Sequence, residues 1–215
     1  MFDCEHSHYS YESLHDMFIM GNALQLGGLL RVPQLSRDHI SRAMDCGAIG
    51  AMVPMTDTVE QAEEIVRWSK YAPLGERGYG SGCAHTSYVG GGKHQEIMEH
   101  GNRKIISIAQ IETKLAVDNS DQIAAVEGID VLLIGPNDLS ISLGFPGDLM
   151  NPIELDAIAH VAANCKKHGK FFGLHAGFKL LEKFSDDLSF VMSQTDTDIL
   201  SEGFSQINTN CRNIE

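Results

Sequence analysis

Residues 104–140 read KIISIAQIETKLAVDNSDQIAAVEGIDVLLIGPNDLS, and this stretch decides the fold. Lys104–Ile111 (KIISIAQI) and Asp130–Ile134 (DVLLI) are short, rich in β-branched residues and apolar on both faces, which is the pattern of strands buried in a parallel sheet. Runs of the same kind recur outward from it at Gly27–Val32 (GGLLRV), Ala48–Pro54 (AIGAMVP), Lys170–Leu174 (KFFGL) and Leu188–Met192 (LSFVM). Helix candidates lie between them. Ser36–Met44 opens at a Ser with Asp38 in its first turn, Thr58–Tyr71 carries Val59, Ala62, Ile65 and Val66 on one face, and Pro152–His168 runs from a first-turn Pro to Gly169. Strand and helix alternate, so the pattern predicts a parallel α/β architecture, either a closed barrel or an open doubly wound sheet. One segment breaks the rhythm: Pro73–Gly101 is glycine-rich without a clear period, which predicts a long loop, either functional or disordered.

Composition narrows the function. The chain has 215 residues, enough for one sizeable core, and 1–215 is expected to form a single domain. With 16 basic and 29 acidic side chains its formal charge is −13, and no cluster of Lys and Arg offsets the surplus, so nucleic acid is not an expected partner. No apolar run is long enough to span a bilayer, which argues against a membrane protein. Five scattered cysteines without a C-x-x-C spacing argue against a disulfide framework or structural zinc. Without a signal-like N-terminus, the expected location is the cytoplasm.

A parallel barrel or sheet gathers its chemistry at the carboxyl ends of its strands. Asp3, Glu5 and His6 end the first run, Arg31 the next, Gln110 and Glu112 follow KIISIA, and Asn137 and Asp138 follow DVLLIGP. Residues two apart on a strand share a face, so Gln110 and Glu112 should point together into the mouth. Glu112 and Asp138, two carboxylates on separate strand ends, suit a hard divalent cation such as magnesium or manganese with positions open for substrate. The competing reading is that Glu112 caps the helix beginning near Thr113 and Asp138 sits in an ordinary turn. His6 suits a general acid or base whose tautomer Asp3 or Glu5 fixes, although an N-terminal His is more often exposed and idle. Arg31 lies in an otherwise apolar strand and needs an anion, either a structural carboxylate or, slightly favoured, a bound acid.

Arg77–Gly82 (RGYGSG) superficially suggests a dinucleotide fingerprint, but it neither follows a strand nor opens a helix, so that reading fails. A Gly-rich backbone approaching a ligand or neighbouring subunit remains open. Cys83 near His85 is too weakly framed to be a nucleophile pair.

Taken together, FDCEH (Phe2–His6), CGAIGAMVPM (Cys46–Met55), YAPLGERGYGSG (Tyr71–Gly82), IAQIET (Ile108–Thr113), VEGIDVLLIGPNDLS (Val126–Ser140) and TDTDIL (Thr195–Leu200) resemble the HpcH/HpaI family of class II, metal-dependent pyruvate aldolases over nearly the whole chain. The resemblance implies a (β/α)8 TIM barrel of the phosphoenolpyruvate/pyruvate superfamily. It implies reversible cleavage of a 4-hydroxy-2-oxo acid to pyruvate and an aldehyde, a divalent metal (Mg, Mn or Co), and a homo-oligomer. Residue by residue, it assigns Glu112 and Asp138 to the metal, and His6 with Asp3 to the acid/base pair. Arg31 goes to the pyruvate oxygens and the enolate, Gln110 to a place beside the metal, the Asn137 and Asp138 amides to the pyruvate carboxylate, and Glu5 to metal-bound water. Two departures stand out. The family has a strand and helix before D-x-E-H, so by this alignment the chain supplies seven strands and lacks the first. Many members also place arginines where this sequence has His85 and Tyr88, and smaller residues where it has His175. The competing functions are lysis of a citryl- or malyl-CoA-type thioester and an inactive pyruvate-binding or assembly protein.

Overall fold

The computed structural model describes residues 1–214. In chain order the elements are β1 (Phe2–Asp3), α1 (Tyr11–Ala23), β2 (Leu29–Arg31), α2 (Arg37–Asp45), β3 (Gly50–Val53), α3 (Val59–Ser69), α4 (His94–Lys104), β4 (Ile106–Ile111), α5 (Lys114–Asp118), α6 (Ser120–Ala125), β5 (Val131–Ile134), α7 (Pro136–Ser142), α8 (Pro152–His168), β6 (Phe171–His175), α9 (Phe178–Lys183), β7 (Phe190–Met192) and α10 (Asp196–Arg212). The seven strands are all parallel and paired in sequence order, β1 through β7. Among the described residues β1 and β7 are the two edges.

The curled sheet has a distinct inner and outer face. Its inner face carries Leu29, Met52, Ile108, Val131 and Leu133, with Ile49, Ile106, Phe190 and Met192 packed against them. The outer face carries Leu30, Ala51, Val53, Ala109, Ile111, Leu132, Ile134, Phe172 and Leu174, which join the helices in the larger core. Both faces are therefore apolar, which is why the strands read as continuous runs rather than alternating ones. Strand alternation sets the site: Arg31 follows Leu29 on the inner face, and Gln110 follows Ile106 and Ile108.

The caps explain the helix starts. Ser36, Thr58 and Thr195 accept from the third residue of α2, α3 and α10, and α3 and α10 have full capping boxes. α8 spans the Pro152–His168 expected from sequence and ends at Gly169, whose φ of 64° is the left-handed conformation that glycine adopts without strain.

One expectation is corrected. The segment from Pro73 to Gly101 is not loop throughout, because it holds a short 3-10 turn at Ala84–Thr86 and most of α4. α4 buries no side chain, so its sequence, HQEIMEHGNRK, has no apolar stripe that periodicity could reveal. No helix among the described residues is long and apolar enough to cross a membrane.

Candidate active site

Parallel strands deliver every candidate residue to one end of the sheet. β1 and β2 pair Asp3 with Arg31 across the ladder, and the two side chains form a bidentate ion pair. Arg31 Nε donates to Asp3 Oδ1 at 2.8 Å and Nη2 to Oδ2 at 2.6 Å, while Nη1 lies 2.9 Å from Glu5 Oε2. Structural carboxylates, one of the two partners expected for it, thus meet this guanidinium. Two of its five N–H groups donate to Asp3, whereas Glu5 Oε2 faces Nη1 without a hydrogen bond, so three remain for a further acceptor. The Glu5 amide donates to Asp3 Oδ1 at 3.0 Å and tightens the turn leaving β1.

Burial alone would raise the Asp3 carboxyl, but the Arg31 hydrogen bonds hold it below the usual carboxylate range. Burial also pushes the Glu5 carboxyl up, against the pull of Arg31. The Arg31 guanidinium is held above its ordinary value by Asp3, despite partial burial.

Glu112 is the most perturbed group here. It is 2% exposed, and burial pushes its pKa up to about 7; the Met55 amide opposes the shift, while the charges of Asp138 and Glu5 add to it. Oε1 accepts from the Met55 amide at 2.7 Å and Oε2 from the Gln110 side-chain amide. Glu112 does not cap α5; that role falls to Thr113, whose hydroxyl accepts from the Ala116 amide at 3.0 Å. Gly135 leaves room for the head groups, because a Cβ there would lie 2.5 Å from Glu112 Oε2 and 2.8 Å from Gln110 Nε2 and would push them aside. Gly135 leads directly into α7, which places the exposed Asn137 and Asp138 in a first helical turn whose amides lack intrahelical partners.

The sequence therefore brings Asp3, Glu5, Arg31, Gln110, Glu112 and Asp138 to one mouth. His6 is there but looser: its side chain is 67% exposed, and Nε2 lies 3.7 Å from Glu5 Oε2. Asp3 is engaged by Arg31, so the carboxylate nearest the imidazole is Glu5.

Two contributors escaped sequence reading as site residues. Met55, at a φ of 51°, brings its amide to Glu112 from 57 residues away, and no local signal announces that contact. His175 ends β6 and is half-buried; burial, then the Arg31 charge, lowers its imidazole pKa, while Asp3 and Asp198 oppose the shift. Its signal was available: Gly173 and His175 share one face of a strand whose alternate residues, Phe172 and Leu174, pack outward.

Hard oxygen donors fit a divalent cation here. Glu112 and Asp138 repel each other, Gln110 Oε1 is buried without a hydrogen-bond partner, and a cation would relieve both. Among the described residues no group of three or more His, Cys, Asp or Glu is gathered to hold a metal, so the protein donors are few.

Comparison with known proteins identifies the lineage. The family model described as HpcH/HpaI aldolase/citrate lyase matches residues 1–195. The chain belongs to the HpcH/HpaI aldolase/citrate lyase family. It is 36% identical over 148 residues to a 2-keto-3-deoxy-L-rhamnonate aldolase of Klebsiella pneumoniae, an alignment covering 69% of this chain and 55% of that protein. It is 40% identical over 162 residues to a 4-hydroxy-2-oxovalerate aldolase of Novosphingobium aromaticivorans, covering 74% and 59%. The chain thus spans little more than half the length of these curated relatives. Its fold matches the crystal structure of an HpcH/HpaI aldolase from Desulfitobacterium hafniense with a TM-score of 0.91 at 29% identity, covering 98% of this chain and 82% of that one. As an HpcH/HpaI family member, it carries Q-I-E-T from the end of β4 into the cap of α5 and G-P-N-D-L-S from the end of β5 into α7, and the carboxylates of the two motifs interact electrostatically.

Proposed function

We propose that the protein is a divalent-metal-dependent aldolase that reversibly cleaves a 4-hydroxy-2-oxo acid to pyruvate and an aldehyde. One observation carries the reading: a guanidinium clamped by two carboxylates stands in the field of a buried carboxylate whose pKa reaches about 7, at the carboxyl ends of a parallel sheet.

Cleavage leaves an electron pair on the three-carbon fragment, and the site must stabilise the resulting enolate. A divalent cation held by Glu112 and Asp138, with Gln110 beside it, would supply Lewis-acid stabilisation of that charge. Arg31 offers its remaining N–H groups to the enolate oxygen, and the two bonds to Asp3 fix the plane from which they point. The Asn137 and Asp138 amides are assigned to the pyruvate carboxylate. His6 is assigned as the base that takes the 4-hydroxyl proton, directly or through water, with Glu5 as its neighbouring carboxylate. Homo-oligomer formation belongs to the same reading, because α10 buries no side chain and leaves Leu200, Phe204 and Ile207 exposed.

The test is paired assays on one preparation. Exchange of the pyruvate C3 protons in heavy water, followed by NMR, reports the enolate; release of pyruvate from 4-hydroxy-2-oxovalerate and 2-keto-3-deoxy-L-rhamnonate reports cleavage. Both should disappear with EDTA and return with magnesium, manganese or cobalt. Pyruvate binding without exchange or cleavage would favour a binding or assembly protein, and activity only with a CoA thioester would favour the citryl- or malyl-CoA-type lyase.

A further inference from the structure

We propose that the cavity at the amino ends of the strands is a second binding site, which takes a phosphate monoester with a flat or apolar body of nucleotide size. This site is independent of the aldolase reading.

The cavity has a volume of about 700 Å³, within the range of small-molecule sites. Its place in the fold is clear from the strand polarity. Ile49 immediately precedes β3 and Ile105 immediately precedes β4, so the cavity lies at the end of the sheet opposite Glu112 and Asp138. Its lining joins two chemistries. Ile49, Ile97 and Ile105 form apolar wall, whereas Arg77, Arg103 and Lys104 bring positive charge, with Glu96 the carboxylate among the lining residues. In a chain of net charge −13, this concentration of cations runs against the general surface.

One buried donor in this lining lacks an acceptor. The Arg77 side chain is 1% exposed, its Nη2 donates to Asp45 Oδ1 at 2.7 Å, and its guanidinium stacks 4.6 Å from the centre of the Tyr71 ring. Its Nε is buried without a partner among the described residues, and His85 Nδ1 lies 3.8 Å from Asp45 Oδ1. The other ring nitrogen of His85 is 3.3 Å from the Tyr71 hydroxyl. A buried donor left unfilled costs about 1–3 kcal/mol, so an anion that meets Arg77 Nε recovers free energy that the empty cavity forgoes. Burial, and then the Arg77 charge, hold the His85 imidazole below its ordinary pKa. A bound dianion would act in the opposite direction.

The ligand class follows from the two halves of the wall. A free phosphate could meet the donors but would leave the isoleucines facing water, and an uncharged body would fill the apolar part but leave the donors unpaired. A phosphate monoester with a flat body satisfies both, and the side-chain cations suit phosphate recognition.

Isothermal titration of the full chain with AMP, adenosine and inorganic phosphate tests the proposal. AMP should bind, with adenosine and phosphate each weaker by at least about tenfold. Ile97→Trp, which fills the cavity, should abolish AMP binding. The pair Arg103→Glu and Lys104→Glu, on the exposed end of α4, should weaken it by about tenfold or more. In the unsubstituted protein, AMP should raise the His85 pKa measured by NMR, a readout that survives if a variant fails to fold. No AMP binding at millimolar concentration, adenosine or phosphate within about tenfold of AMP, normal binding by a folded Ile97→Trp variant, or an unmoved His85 titration would each overturn it.

Discussion

Two buried ions, Lys70 near one end of this sheet and Glu112 at the other, are treated in opposite ways. At the amino end, the Lys70 side chain is 2% exposed, yet its Nζ donates to the Asn102 carbonyl at 3.2 Å, the Ile105 carbonyl, and Asp130 Oδ2 at 3.1 Å. Asp130 in turn accepts from the Ser107 amide at 2.8 Å, so the ion pair is tied into the start of β4. At the carboxyl end, Asp3, Glu5 and Glu112 share the single guanidinium of Arg31, Asp138 adds its charge to theirs, and Glu112 is driven to a pKa of about 7. A fully partnered buried ion holds structure. A buried ion left short of countercharge marks the place where something else is meant to bind.

The contrast makes opposite predictions for the two ends. Lys70→Met should cost about 3–5 kcal/mol in urea denaturation, because it leaves two carbonyls and Asp130 without their cation, while kcat of the folded fraction stays near normal. A neutral substitution would show that the amino-end network is not structural. Glu112→Gln should do the reverse: about 10³-fold loss of cleavage, equivalent to ~4 kcal/mol, with a melting temperature no lower than that of the unsubstituted protein. Retention of metal-dependent activity by Glu112→Gln would remove Glu112 from the site.

Legibility in the sequence follows the same division. β3, β4, β5 and β6 could be read because both their faces are buried, and α8 because it begins with Pro152 and ends at Gly169. α4 and α10 bury no side chain, so neither presents the stripe that periodicity detects. At the site, the types and strand-end positions of Asp3, Arg31, Gln110, Glu112 and Asp138 were visible locally. The bonds that set their properties were not: Arg31 meets Asp3 from 28 residues away, and Glu112 meets Met55 from 57. Nor could sequence show that Gly135 is small to make room for Glu112.

Glu112 also couples the site to stability. Its folded pKa of about 7 lies above its ordinary 4.5, so between these values the folded state holds the proton more tightly than the unfolded state. Stability of the metal-free protein should therefore fall as pH rises through this window, by about 3 kcal/mol from this group once pH exceeds 7. Thermal melts from pH 5 to 8 measure the slope. Saturating magnesium should flatten it by favouring the charged carboxylate, and Glu112→Gln should flatten it without metal. A slope unchanged by both would mean that Glu112 is not the titrating group.

The finest test divides the carboxyl end itself, between the clamped Arg31 and the exposed His6. Arg31→Lys retains a charge but cannot hold Asp3 through two parallel bonds while also reaching Glu5, so the plane that presents its free N–H groups is lost. It should lower both pyruvate proton exchange and aldol cleavage by about 10²-fold, ~2.7 kcal/mol, because both pass through the same enolate. His6→Ala removes a side chain that is 67% exposed and holds nothing else in place. Exchange at C3 does not require a base for the 4-hydroxyl, so this variant should lose cleavage while exchange falls by less. Equal losses of both activities in His6→Ala would move His6 from hydroxyl deprotonation to enolate formation. Near-normal exchange in Arg31→Lys would mean that the guanidinium serves only to hold Asp3 and Glu5 in place.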